Sequence, residues 1–114
     1  MNCTKALRQL AVVALIGSGA LASCSAPSRP ASKTYVVTMA NMDFSAKTLS
    51  AHVGDTIQWV NKDMFRHSAT AKDGSFDIDI DVGQSGSTKL TKPGNVQVTC
   101  KYHPTMTQQI LVNP

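Results

Sequence analysis

Glutamate is missing from this sequence: all 7 acidic side chains among its 114 residues are aspartates. The acidic run Asp77-Ile78-Asp79-Ile80-Asp81 therefore cannot open a calcium loop, which needs a glycine at its sharp turn and a closing glutamate where Val82 and Thr88 stand. It reads as a half-buried strand with a solvated acidic face. From Thr34 onward no convincing helical stretch is present, and no Ser/His/Asp or paired-carboxylate arrangement stands out, so hydrolytic catalysis has no support. A basic stripe with interleaved aromatics is lacking too, which removes nucleic acid as a partner. The longest apolar stretch, Leu10 to Leu21, is interrupted by Gly17, Ser18 and Gly19 and is too short to span a bilayer.

Cysteine is scarce, and its placement is informative. Of the 3 cysteines, Cys3 and Cys24 belong to the first segment. Residues 1–23 combine a basic start (Lys5, Arg8) with that apolar stretch and then Leu21-Ala22-Ser23-Cys24, and so read as a cleaved export signal. The four residues ending in Cys24 resemble a bacterial lipobox, which implies lipidation of Cys24 and anchoring in the cell envelope on the periplasmic side. Ser25, where an aspartate would retain the protein at the inner membrane, favours the outer membrane in a cell that has one. Residues 24–32, with Pro27 and Pro30, read as the lipidated cysteine and a flexible spacer, and residues 33–114 as one small domain. Loss of Lys5 and Arg8 with the signal leaves 9 basic residues against 7 aspartates, a charge of +2. Cys100 is then the one free thiol of an exported protein, where compartments favour disulfides, and metal ligation gives it a reason. The bland alternative is a buried, inert cysteine at a strand end.

From Thr34 onward, short period-2 runs alternate with turn residues. Tyr35, Val37 and Met39 share a face, as do Leu49, Ala51 and Val53, then Ile57 and Trp59, then Ile78, Ile80 and Val82, then Val96 and Val98, and finally Ile110 and Val112. Strands at this spacing predict an all-β, Greek-key antiparallel β-sandwich. Cys100 continues the parity of Val96 and Val98, so its thiol points into the end of the sandwich. Pro93 stiffens the turn before that strand and Pro104 fixes φ beside His103.

The heptad Cys100-Lys101-Tyr102-His103-Pro104-Thr105-Met106 gathers a thiolate, an imidazole and a thioether, the donors of an electron-transfer copper site, and His67 offers the second imidazole. With the segments His52 to Asp63 and Thr91-Lys92-Pro93-Gly94 in the same order, the chain resembles the small blue copper proteins, the cupredoxins of the plastocyanin and amicyanin group. The Cys-x-x-His-x-x-Met spacing is similar to the short loop of amicyanin-like members. The resemblance implies one copper ion held by His67, Cys100 and His103 with Met106 as a weak axial ligand. It implies a monomeric one-electron carrier, not an enzyme, that docks with redox protein partners and passes electrons through the edge of His103. The sequence departs from the family at Ser68, Thr99 and Thr107-Gln108-Gln109, positions around the metal that tune it.

The alternative function is copper(I) delivery or tolerance, with Met64 added to the His and Met donors, since Met64-x-x-His67 mirrors His103-x-x-Met106. Met39 and Met42 read as core filling, Trp59 as packing and His52 as a surface histidine. Lys62, Arg66, Lys72 and Lys101 lie in or near the expected ligand loops, apart from the acidic strand, and predict a mildly positive face around His103.

Overall fold

The computed structural model describes residues 31–114. The export signal, Cys24 and most of the spacer lie outside the described residues. The described residues form nine strands, most of them on alternating apolar positions: β1 (Thr34–Ala40), β2 (Asp43–Phe44), β3 (Thr48–His52), β4 (Thr56–Asn61), β5 (His67–Ala71), β6 (Asp77–Ile80), β7 (Ser85–Lys89), β8 (Gly94–Cys100) and β9 (His103–Asn113). They form a four-stranded sheet ordered β2-β1-β4-β7 and a five-stranded sheet ordered β3-β9-β8-β5-β6. The all-β sandwich expected from the period-2 pattern is present. Two of its ladders, β1 with β4 and β3 with β9, run parallel. Alternation shows which side chains face inward but carries no information on the direction of the neighbouring strand, so these pairings lie beyond it.

The core forms where the inward parities of both sheets meet. Val37, Met39, Ile57 and Trp59 from one sheet and Ala69, Val98, Cys100 and Ile110 from the other are all fully buried. Trp59 is the largest of them, and its indole N–H donates to Gln108 Oε1 across the sheets at 3.1 Å, which removes the cost of burying it unpaired. Gln108 Nε2 in turn donates to the Ala46 carbonyl at 2.8 Å. The packing role read for Trp59 therefore holds, as does the surface position of His52. Val82 departs from expectation, since β6 ends at Ile80 and Val82 is exposed in the following turn.

Met42 is a second departure. The register Met39↔Phe44 and Ala40↔Asp43 makes Asn41-Met42 a two-residue hairpin turn, and both residues have positive φ, 52° and 60°. A primed turn suits the twist of a hairpin, but it requires the left-handed region at both central residues. Met42 thus points out at the turn rather than filling the core, which Met39 does.

Candidate metal centre

The strand ends decide where the chemistry collects. β4 runs towards one end of the sandwich and stops at Asn61; the chain turns through residues 62–66 and re-enters as β5 with His67 as its first residue. β8 arrives at the same end with Cys100 as its last residue, and after a two-residue turn β9 begins with His103. The register Cys100↔His103, with an irregularity at Thr99/Cys100, breaks the ladder where the two ligand candidates stand.

His67 Nδ1, Cys100 Sγ and His103 Nδ1 converge there. The two nitrogens are 3.2 Å apart, and the sulfur is 3.7 Å from each. A triangle with these sides has its centre about 2 Å from every corner, close to the bond lengths of first-row metals to imidazole nitrogen and thiolate sulfur. His67 and Cys100 are fully buried, while His103 is half-buried. A buried thiolate and two imidazoles aimed at one point therefore fit a soft or borderline metal ion. Met106, also fully buried, lies three residues along β9 from His103. The structure thus brings together three of the four metal-ligand candidates in the sequence and buries the fourth on the same strand.

Ser68, which the sequence places near the metal, and residues to which it gives no role hold this trio. The Ser68 amide donates to Cys100 Sγ at 3.3 Å, and Ser68 Oγ accepts the Lys101 amide at 2.9 Å, so one buried residue fixes both the sulfur and the start of the turn to His103. Asn61 donates to the carbonyls of Phe65 and Ile80 at 2.7 and 3.0 Å and accepts from the Asp63 amide at 2.9 Å, which closes the loop before His67. Asp63 Oδ2 lies 3.0 Å from His67 Nε2. Its carboxyl is held below the usual range, first by the Met42 amide, then by His67 and the Met64 amide. The spacing of four between Asp63 and His67 across a loop is the only sequence signal for this contact. The Phe65 ring meets His103 edge-on with centroids 6.1 Å apart.

Charge around the centre differs from the expectation of a positive face. β6 pairs with β5, so the acidic stripe lies beside the ligand loops rather than apart from them. Lys101 Nζ contacts Asp79 at 2.8 Å and Asp77 at 3.1 Å, and Arg66 contacts Asp79 at 3.1 Å and Asp81 at 3.0 Å. The Tyr102 hydroxyl donates to Asp79 at 2.9 Å, and Arg66 and Lys101 stand 5.3 and 5.5 Å from the centroid of its ring. Asp79 raises the Lys101 ammonium above its ordinary range, and Lys101 lowers Asp79. Lys72 leaves the group altogether, because it follows β5 at the end of the strand opposite His67. Met64, the added donor of the copper-delivery alternative, is 84% exposed and does not join the buried trio.

Comparison with known proteins agrees with this geometry. No curated protein sequence matches the chain. Among solved structures, a copper(I) form of a methionine-to-alanine variant of amicyanin is 26% identical, with a TM-score of 0.62 over 70% of this chain and 82% of that one. An oxidized proline-to-alanine variant of amicyanin gives the same values. A copper-containing nitrite reductase from Thermus scotoductus is 30% identical with a TM-score of 0.63, but the match spans 70% of this chain and only 22% of the reductase. The model of the cupredoxin-like domain matches residues 11–112, and the chain belongs to that family.

Proposed function

We propose that the protein is a one-electron carrier in which His67, Cys100 and His103 hold a single copper ion and Met106 gives a weak axial contact. The observation that carries this reading is the buried triangle of one sulfur and two nitrogens, on a fold whose relatives include copper forms of amicyanin. Copper bound there supplies the one-electron chemistry. Cys100 is locked at the end of β8 by its burial and by the Ser68 amide, so the sulfur is held in place whichever charge the metal carries. His103, half-buried on the turn into β9, offers the edge through which electrons pass to a partner. The nitrite reductase likeness covers a small part of that enzyme and lends no catalytic site to this chain. The protein works as a monomer at the cell envelope, tethered by lipid on Cys24 and exchanging electrons with redox proteins on the periplasmic side.

The test is the visible spectrum of the purified protein after addition of copper(II). An intense blue band from thiolate-to-copper charge transfer is expected. Cys100→Ser is expected to abolish it, and Met106→Leu to keep copper while shifting the reduction potential, because the three short bonds hold the metal and the long one tunes it. An unchanged spectrum in Cys100→Ser would reject the assignment. Loss of acylation and membrane association in Cys24→Ala checks the anchor.

A further inference from the structure

The end of the sandwich opposite the metal centre carries a basic cluster to which the electron-carrier reading gives no role. β4 leaves this end at Thr56, which pairs with Thr34 on one side and Lys89 on the other, and reaches the metal end at Asn61. Lys33, directly before β1, therefore stands here, and with it the point where residues 25–32 join the domain. Lys72 follows β5 and Lys92 lies in the turn before β8, both at the same end. All four lysines are exposed, and among the described residues none of them forms an ion pair. The two aspartates nearby are engaged elsewhere. Asp55 is buried and accepts the Lys33 and His52 amides, while Asp73 accepts the Ser75 amide at 2.9 Å and the Ser75 hydroxyl at 2.6 Å. A cleft of about 140 Å³ opens between these turns, lined by the exposed Lys89, Lys92 and Asn95 and the buried Leu90 and Val96. At the metal end, by contrast, Arg66 and Lys101 are paired with aspartates.

We infer that this basic end is the membrane-facing surface of the tethered protein: Lys72, Lys89 and Lys92 rest on anionic phospholipid headgroups, and the metal centre points into the aqueous space. The inference rests on lipid attachment at Cys24, as proposed above. Reach limits the orientations. Residues 25–32 span at most about 30 Å when fully extended. β9, whose 11 residues run from the metal end to the basic one, extends roughly 35 Å. Placing His103 against the bilayer would lift the start of β1 beyond the tether, whereas the basic end lies within easy reach. Among the orientations left, charge decides. An anionic surface attracts unpaired ammonium groups, and the attraction fades within a Debye length, so it selects the face on which they cluster. The edge of His103 is then left free for soluble partners.

The test uses the acylated protein extracted from membranes, in its diamagnetic copper(I) form, in nanodiscs containing a phosphatidylcholine with a nitroxide on its headgroup. With phosphatidylglycerol and phosphatidylcholine in equal parts, the amide signals of Lys72, Gly74 and Asn95 are expected to broaden severalfold more than those of Tyr102 and Thr105. The excess should shrink in phosphatidylcholine alone, and also in about 1 M salt, where screening contracts to about 3 Å. Lys72→Glu/Lys89→Glu/Lys92→Glu is expected to abolish the difference between the two lipids and to leave the visible spectrum of the copper(II) form unchanged. Broadening that is the same in both lipids, or strongest at Tyr102, overturns the inference, and the wild-type comparison decides it even if the triple variant does not fold. A mass spectrum without acyl chains would instead reject the anchor. Sedimentation of that unacylated protein with vesicles then decides the basic end by itself. Binding to phosphatidylglycerol vesicles that falls on the order of 100-fold in the triple variant, about fivefold per lysine, supports it, and equal binding of wild type and variant overturns it.

Discussion

Asp55 shows how much one side chain can organise in a small sandwich. Its Oδ1 accepts the Lys33 amide at 2.8 Å and its Oδ2 the His52 amide at 2.9 Å, so it ties the start of the domain to the β3–β4 turn. These two amides hold its carboxyl below the ordinary 3.8. A depressed carboxylate contributes stability that is complete above its unfolded value and is lost as pH falls through the folded one. The thermal unfolding midpoint is therefore expected to fall in acid below about pH 4. Asp55→Asn should lower the midpoint at neutral pH and flatten that acid limb, and an unaltered pH profile would remove Asp55 from the account. Met42 gives the opposite case. Its left-handed φ costs about 1–2 kcal/mol in a non-glycine residue, while glycine carries an entropic cost of roughly 0.5–1 kcal/mol. Met42→Gly makes the turn Asn-Gly and keeps the N–H bonded to Asp63, so a net gain of about 0.5–1 kcal/mol is expected in urea unfolding with the metal site intact. A loss of stability would show that the methionine side chain holds the turn.

Strands were legible in the sequence where alternation alone decides them. Val96, Val98 and Cys100 are buried in the order their parity predicts, and this places the sulfur before any contact is known. β7 was not legible: Ser85-Gly86-Ser87-Thr88-Lys89 carries no apolar period, and it becomes a strand because its backbone completes the ladder with β4. Its glycine makes the fit possible. A Cβ at Gly86 would lie 2.6 Å from Ile78 Cγ2 and 3.3 Å from Ile80 Cγ1, so β7 and β6, edge strands of different sheets, touch only because this residue has no side chain. Gly86→Ala is expected to cost about 1–3 kcal/mol by overpacking. The damage should be greatest in β6, seen as faster amide exchange at Ile78 and Ile80. Wild-type exchange and stability would mean that Ile78 yields freely.

Over the molecule as a whole, the sequence gives the sandwich and the ligand heptad, but not which loops share an end with which edge. That gap explains the error about charge. The acidic stripe is distant in sequence from Lys101, and only the β5–β6 ladder brings Asp77 and Asp79 to it and Asp79 and Asp81 to Arg66. Arg66 and Lys101 are thereby paired with three aspartates beside the ligand loops. Exposed ion pairs of this kind add little stability, and their main effect is to cancel the field that a partner would meet. Oxidation of the copper(I) protein by small anionic and small cationic reagents should therefore respond weakly to salt. The comparison can run from about 0.01 M to 1 M ionic strength, where screening contracts from about 30 Å to about 3 Å. The Asp77→Asn/Asp79→Asn double variant removes two negative charges, frees Lys101 and leaves Arg66 with Asp81 alone. It is expected to react faster with the anionic reagent at low salt and to lose that advantage as salt rises, with its visible spectrum unchanged. If the double variant keeps the wild-type salt response, the acidic strand does not set the charge of the face around His103, and the balance must lie elsewhere on the surface.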